Sequence, residues 1–119
     1  MTVKECYQKM GGNYEEAARL LSSDERIIKY LKILQRDANY SALCEAIDQN
    51  DLKTAFRASH TLKGIALNLS LTSLADSAGE LTETLRSGVP NQGIASLLQR
   101  TKEAHMLVLE CINTLILSR

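Results

Sequence analysis

The chain has no tryptophan, a single phenylalanine at Phe56 and a single proline at Pro90, and only 4% of its residues are aromatic against 45% hydrophobic. Leucine and alanine carry the apolar content, with Glu and Lys abundant beside them, a composition that suits helices better than strands. Neither sign of charge is in excess: 14 Lys and Arg balance 14 Asp and Glu. A basic field for nucleic acid is therefore missing, and protein partners are expected rather than polyanions. Cysteine occurs three times, at Cys6, Cys44 and Cys111, widely spaced and without a C-x-x-C pair. That excludes a disulfide framework or zinc site by pattern, and the three are read as small buried apolar residues.

Long apolar runs are also missing. Residues 106–117 are the most hydrophobic stretch, but Glu110 and Asn113 interrupt it and it is too short to span a bilayer. The polar, charged residues 1–10 lack the apolar segment of a signal peptide, so a cytoplasmic chain without membrane association is expected. No glycine-rich loop of the P-loop or Rossmann kind is present, and ATP binding is not expected. No Ser-His-Asp arrangement is supported by spacing. The acidic pairs Glu15 with Glu16 and Asp24 with Glu25 fall in first helical turns, where they complement the helix dipole.

What is present is helical periodicity over a length of 119 residues, enough for one domain with a core. Residues 2–10 predict a short helix stopped by Gly11 and Gly12. Asn13 with Glu16 has the capping-box spacing and predicts a second helix to about Leu21, and Ser22 with Glu25 repeats the spacing to start a third. Ile27, Ile28, Leu31 and Leu34 stripe that helix until Asp37-Ala38-Asn39 interrupts; Tyr40, Leu43 and Ile47 mark a further one ending near Asn50. Several helices or one broken rod fit this pattern equally. Residues 51–69 and 71–86 predict two longer helices joined so tightly at Ser70 that they run antiparallel, the second striped by Leu71, Leu74, Ala78, Leu81 and Leu85. After a loop at 87–91, a final helix carries Ile94, Leu97, Leu98, Ala104, Val108, Cys111, Ile112 and Leu115. The expected architecture is all-α: a single domain over 1–119, an antiparallel four-helix bundle with additional short N-terminal capping helices.

The helix over 51–69 organises the rest. At about 100° per residue, Ala55, Ala58, Leu62, Ile65, Ala66 and Leu69 share one face and His60 points to the other. Around His60 lie Lys53, Phe56, Arg57, Lys63, Gly64 and Leu67, so cations and large apolar groups surround an outward imidazole. Glycine inside a helix costs roughly 0.5–1 kcal/mol relative to alanine. Gly64, one turn after His60, therefore needs a reason, and the reason that fits is clearance for a bulky group or partner beside the ring. Free imidazole titrates near pH 6.5, so an exposed neutral ring is a nucleophile without an activating base. Phosphoryl transfer needs positioning and charge stabilisation above all. Lys63 is placed to meet phosphoryl oxygens and Arg57 to add a weaker field. On the antiparallel partner, Leu81 and Thr82 are expected at the level of His60, and Thr82 is the candidate polar neighbour, with a merely solvated threonine as the alternative. Gly79, a second interior glycine, is explained equally by close helix packing.

The run from Ala58 to Leu69, with His60, Leu62, Lys63, Gly64, Asn68 and Leu69, resembles the signature of histidine-containing phosphotransfer (HPt) domains of two-component phosphorelays. Ser70 departs from that pattern, which usually has glycine there. The resemblance implies a carrier protein rather than a free-standing enzyme. It implies that His60 accepts a phosphoryl group from a receiver-domain aspartate, or through a hybrid sensor histidine kinase, and passes it to another response-regulator receiver. It implies no cofactor bound by this chain, with Mg²⁺ supplied by the receiver. Phe56 and Leu67 become docking residues under this reading; alternatively they lie beneath the short N-terminal helices. Two other readings remain: a helical interaction module whose His60 is never phosphorylated, and a small enzyme using His60 as general base, which requires a concave pocket. His105 has neither a cation nor clearance beside it and is read as structural. The two histidines lie on different helices, so no metal site is expected.

Overall fold

In the computed structural model, which describes residues 1–117, seven α-helices follow one another: α1 Val3–Met10, α2 Tyr14–Leu21, α3 Asp24–Gln35, α4 Asn39–Asp48, α5 Leu52–Asn68, α6 Thr72–Leu85 and α7 Gly93–Leu117. Four sides make the bundle. α4 packs on α5, α5 on α6 and α6 on α7, and the circuit closes where α3 meets α7. α3 and α4 are thus one broken side. The break at Arg36–Ala38 uses no left-handed residue; Arg36 and Ala38 sit at φ −97° and −88°. Asp37 restarts the helix by accepting 2.8 Å bonds from both the backbone and the side-chain amide of Asn39. The apolar stripes turn inward as expected: Leu31, Leu43, Leu62, Leu71, Leu74, Leu81 and Ile112 are all essentially inaccessible.

Two N-terminal details differ from the expectation. Ser22 does not start α3: it closes α2 in a left-handed conformation, φ 76°, and Ser23 is the cap, accepting from the Arg26 N–H at 3.2 Å. A left-handed stop was needed first, which left the next hydroxyl to do the capping. Asn13 caps Glu16 as predicted, but its own N–H does not return to that side chain; it donates to the Ser70 carbonyl at 2.9 Å. The box is half formed because the other half is spent on tertiary structure. Thr2 and Glu5, by contrast, form the complete reciprocal pair.

That Asn13 bond belongs to a clasp. α1 and α2 cover the α5–α6 turn. The buried Tyr7 hydroxyl donates to the Leu69 carbonyl at 2.8 Å, and Ser73 donates through its N–H (3.0 Å) and hydroxyl (3.2 Å) to the Gly11 carbonyl. Ser70 sits inside the clasp at φ 55°, 5% exposed, its hydroxyl without a protein partner among the described residues. Left-handed backbone costs an L-residue roughly 1–2 kcal/mol, and a buried unpaired hydroxyl adds to that. Ser70→Gly removes both, against a greater loss of backbone entropy. It is expected to raise unfolding stability by about 1 kcal/mol, measured by urea titration; an unchanged or lower midpoint would count against this account of the turn.

Cys6 and Cys111 are buried and Cys44 is half-buried, all as free thiols. Burial pushes the Cys6 thiol up to about 12. His105 is also buried, 6% exposed, with its ring stacked on Tyr40 at 3.9 Å and 7° and its Nδ1 unpartnered among the described residues. Burial lowers its pKa from the ordinary histidine value, while the Asp37 carboxylate opposes the shift. A base depressed in the folded state binds fewer protons than it does unfolded, so the stability it contributes is present above the unfolded pKa near 6.5 and lost on acidification. The melting temperature is expected to fall as the pH drops below about 6.5, and His105→Phe, which keeps the stack, is expected to flatten that slope.

Candidate functional site

α5 is started by Asp51, whose carboxylate accepts from the Thr54 N–H at 3.2 Å and is held below the usual carboxylate range by its bonds to Thr54. Its buried side is Leu52, Ala55, Ala58, Ser59, Leu62 and Ala66. Burying that stripe leaves His60 exposed on the opposite side.

Three contacts give the register between α5 and α6. The Lys63 stem lies 3.5 Å from where a Cβ on Gly79 would stand, the Thr82 hydroxyl meets Ser59 Oγ at 2.9 Å, and the Arg86 guanidinium lies 5.1 Å from the Phe56 ring centre. His60 is therefore level with Thr82, as the antiparallel turn predicts. Thr82 nevertheless faces the wrong way for the proposed role. It is 1% exposed, and its hydroxyl is bonded to Ser59 and to the Ala78 carbonyl at 2.6 Å. A threonine satisfied by its own helix can be buried between small residues, and this one is a core contact rather than a neighbour of the imidazole. At the same level the outward side of α6 presents Gly79, Glu83 and Arg86.

Phe56 is half-buried and packs against the core edge with its ring parallel to that of His60, at 6.0 Å and 7°. Arg86 lies against this same ring and is gripped by Glu83 through two bonds, Nε to Oε2 at 3.1 Å and Nη2 to Oε1 at 2.9 Å. Those bonds hold the Glu83 carboxyl below its usual range, with smaller contributions from the Lys63 and His60 charges. Imidazole, phenyl, guanidinium and carboxylate thus form one row across the seam. Phe56 does not lie under the N-terminal helices, which cover the other end of α5.

Lys63 is half-buried, its stem laid across Gly79. Gly79 accordingly reads as room for that stem. A Cβ on Gly64 would meet nothing within 4 Å, so the fold itself has no use for glycine there. Arg57 is exposed; its carbonyl accepts from the Thr61 hydroxyl at 3.0 Å, while its guanidinium makes no hydrogen bond or ion pair among the described residues and its charge helps lower Asp51. Leu67 is 53% exposed and, with Leu20 at 48% and Ile33 at 52%, rims an apolar groove of about 490 Å³ between α2, α3 and the end of α5. It too is uncovered by the N-terminal helices. Glu83 and Arg86 are the residues that the sequence does not single out; an i,i+3 charge pair in register with His60 is the signal for them once level and face are both applied.

Among the described residues no three His, Cys, Asp or Glu side chains cluster as a metal site, and no helix is long and apolar enough to cross a membrane. A family model described as Hpt domain matches residues 31–111, a span that runs from within α3 to within α7 and includes His60. No curated protein and no solved structure matches the chain. The chain belongs to the Hpt-domain family, the histidine phosphotransfer domains of two-component phosphorelays.

Proposed function

We propose that the chain is a phosphorelay intermediate in which His60 carries the phosphoryl group. The observation that carries this reading is an exposed imidazole stacked on Phe56, one turn from a glycine whose side is open to at least 4 Å. Neutral Nε2 attacks the phosphorus of a receiver's aspartyl phosphate; the N–P bond forms, the acyl O–P bond breaks and the carboxylate leaves. Return transfer to a second receiver reverses these changes. Phe56 fixes the plane of the ring, Lys63 supplies an ammonium to the phosphoryl oxygens, and Gly64 admits the partner. Mg²⁺ and the remaining charge stabilisation come with the receiver, so this chain acts as carrier and not as a free-standing enzyme. Leu67, with Leu20 and Ile33, offers the apolar docking area, and a hybrid sensor kinase is the expected upstream source.

The test is transfer from a panel of receiver domains, charged by acetyl phosphate with Mg²⁺, to the wild type, His60→Gln and His105→Gln. An acid-labile, base-stable phosphoryl group on the wild type and His105→Gln, and not on His60→Gln, is the expected result. Receivers that bind the wild type and His60→Gln alike without transfer make the chain a docking module instead.

A further inference from the structure

We propose that Glu83 is a positioning residue that holds down the affinity of His60 for the phosphoryl group, by engaging Arg86 and placing an anion beside the imidazole, so that the group is passed on rather than kept. This rests on His60 being the phosphoryl acceptor.

An arginine fork is shaped to take two phosphoryl oxygens at once. On α6 the fork on this side is Arg86, one phenyl ring from His60: it lies 5.1 Å from the Phe56 centre, and the imidazole is parallel to that ring at 6.0 Å. In the free chain it is not available, because Glu83 closes it with bonds of 2.9 and 3.1 Å. Lys63 is drawn to the same place. Its stem crosses to α6 at Gly79, one turn before Glu83, and the outward groove there is lined by Asp76, Glu80 and Glu83. Of these, Glu80 is already paired with Arg100 at 2.6 Å. Glu83 is thus the carboxylate common to both cations on the histidine side.

A phosphoryl group brings roughly two negative charges at neutral pH. With Glu83 ionised, those charges meet a like charge and an arginine already engaged. Without it, Arg86 is free to turn to the phosphoryl oxygens beside Lys63. The bond chemistry is unchanged: O–P breaks, N–P forms and the receiver carboxylate leaves. Only the energy of the phosphorylated state relative to the free one shifts.

The equilibrium ratio of phosphorylated chain to phosphorylated receiver reads this directly, since a docking defect slows both directions and leaves the ratio alone. The probe is a receiver domain that charges the wild type, loaded with acetyl phosphate and Mg²⁺ and freed of the donor before mixing. Glu83→Gln is expected to move the ratio about fivefold toward the chain at low salt, and less at high salt, where exposed charges are screened. Glu83→Asp, which keeps the charge, is expected near the wild type. Glu83→Gln with Arg86→Gln, which restores the charge balance, is expected to return most of the shift. A ratio unchanged in Glu83→Gln overturns the role of Glu83 while leaving His60 as acceptor; no phosphoryl group on the wild type overturns both.

Discussion

Gly64→Gln is expected to slow phosphoryl transfer from a receiver by about a hundredfold while leaving the free chain at least as stable as the wild type. The two halves of this expectation come from one observation. Nothing within 4 Å would meet a Cβ at residue 64, so no neighbour has to move, and glutamine is a better helix former than glycine by several tenths of a kcal/mol. Gly64→Ala isolates that gain, about 0.5–1 kcal/mol. The penalty falls only on what approaches from outside. On the proposed function, a side chain one turn from His60 stands where the receiver comes for in-line attack, and displacing the reacting atoms by about 1 Å is enough for two orders of magnitude. Rapid-mixing transfer assays and thermal melts on the same samples check both halves. Transfer at the wild-type rate with raised stability would mean that clearance is not why glycine stands there.

Gly12→Ala is expected to cost about 2–3 kcal/mol of unfolding stability, with the loss concentrated at the α5–α6 turn. A Cβ there would stand 2.8 Å from the Tyr7 ring and 2.9 Å from the Ser70 carbonyl oxygen. The backbone oxygen cannot rotate away as a flexible side-chain tip can. It is also the acceptor for the Asn13 N–H, so relieving the clash loosens that bond and, through the displaced ring, the Tyr7 bond to Leu69 as well. Urea unfolding measures the total, and amide exchange at Asn13 and Ser73 locates it. Stability within about 0.5 kcal/mol of wild type would show that the clasp tolerates a methyl group.

The bundle was legible in the sequence because its stripes are long and regular: Leu71, Leu74, Ala78, Leu81 and Leu85 allow only one buried face for α6. The outward direction of His60 followed in the same way from the alanine and leucine face of α5. Less legible was anything that depends on two helices at once. Level and face are separate quantities, and Thr82 satisfies the first and not the second, because a back-bonded hydroxyl can be buried at little cost. The same limit hid the Glu83 and Arg86 pair, whose meaning appears only when Phe56 lies beneath the guanidinium. At the N-terminus, Ser22 and Ser23 are chemically identical as caps, and the choice between them is made by the left-handed residue that α2 needs to stop. Asn13 carries a correct local signal whose second half is outbid by a carbonyl on a distant turn.

The clasp at that turn has a consequence in time. α5 and α6 meet across a short turn and have little chain entropy to lose, whereas the Tyr7 bond to Leu69 joins positions 62 residues apart. The first helix can seal the turn only after the turn exists. The Tyr7 bond is therefore expected to form after α5 and α6 have paired, so that sealing of the Ser70 end follows closure of the seam around His60.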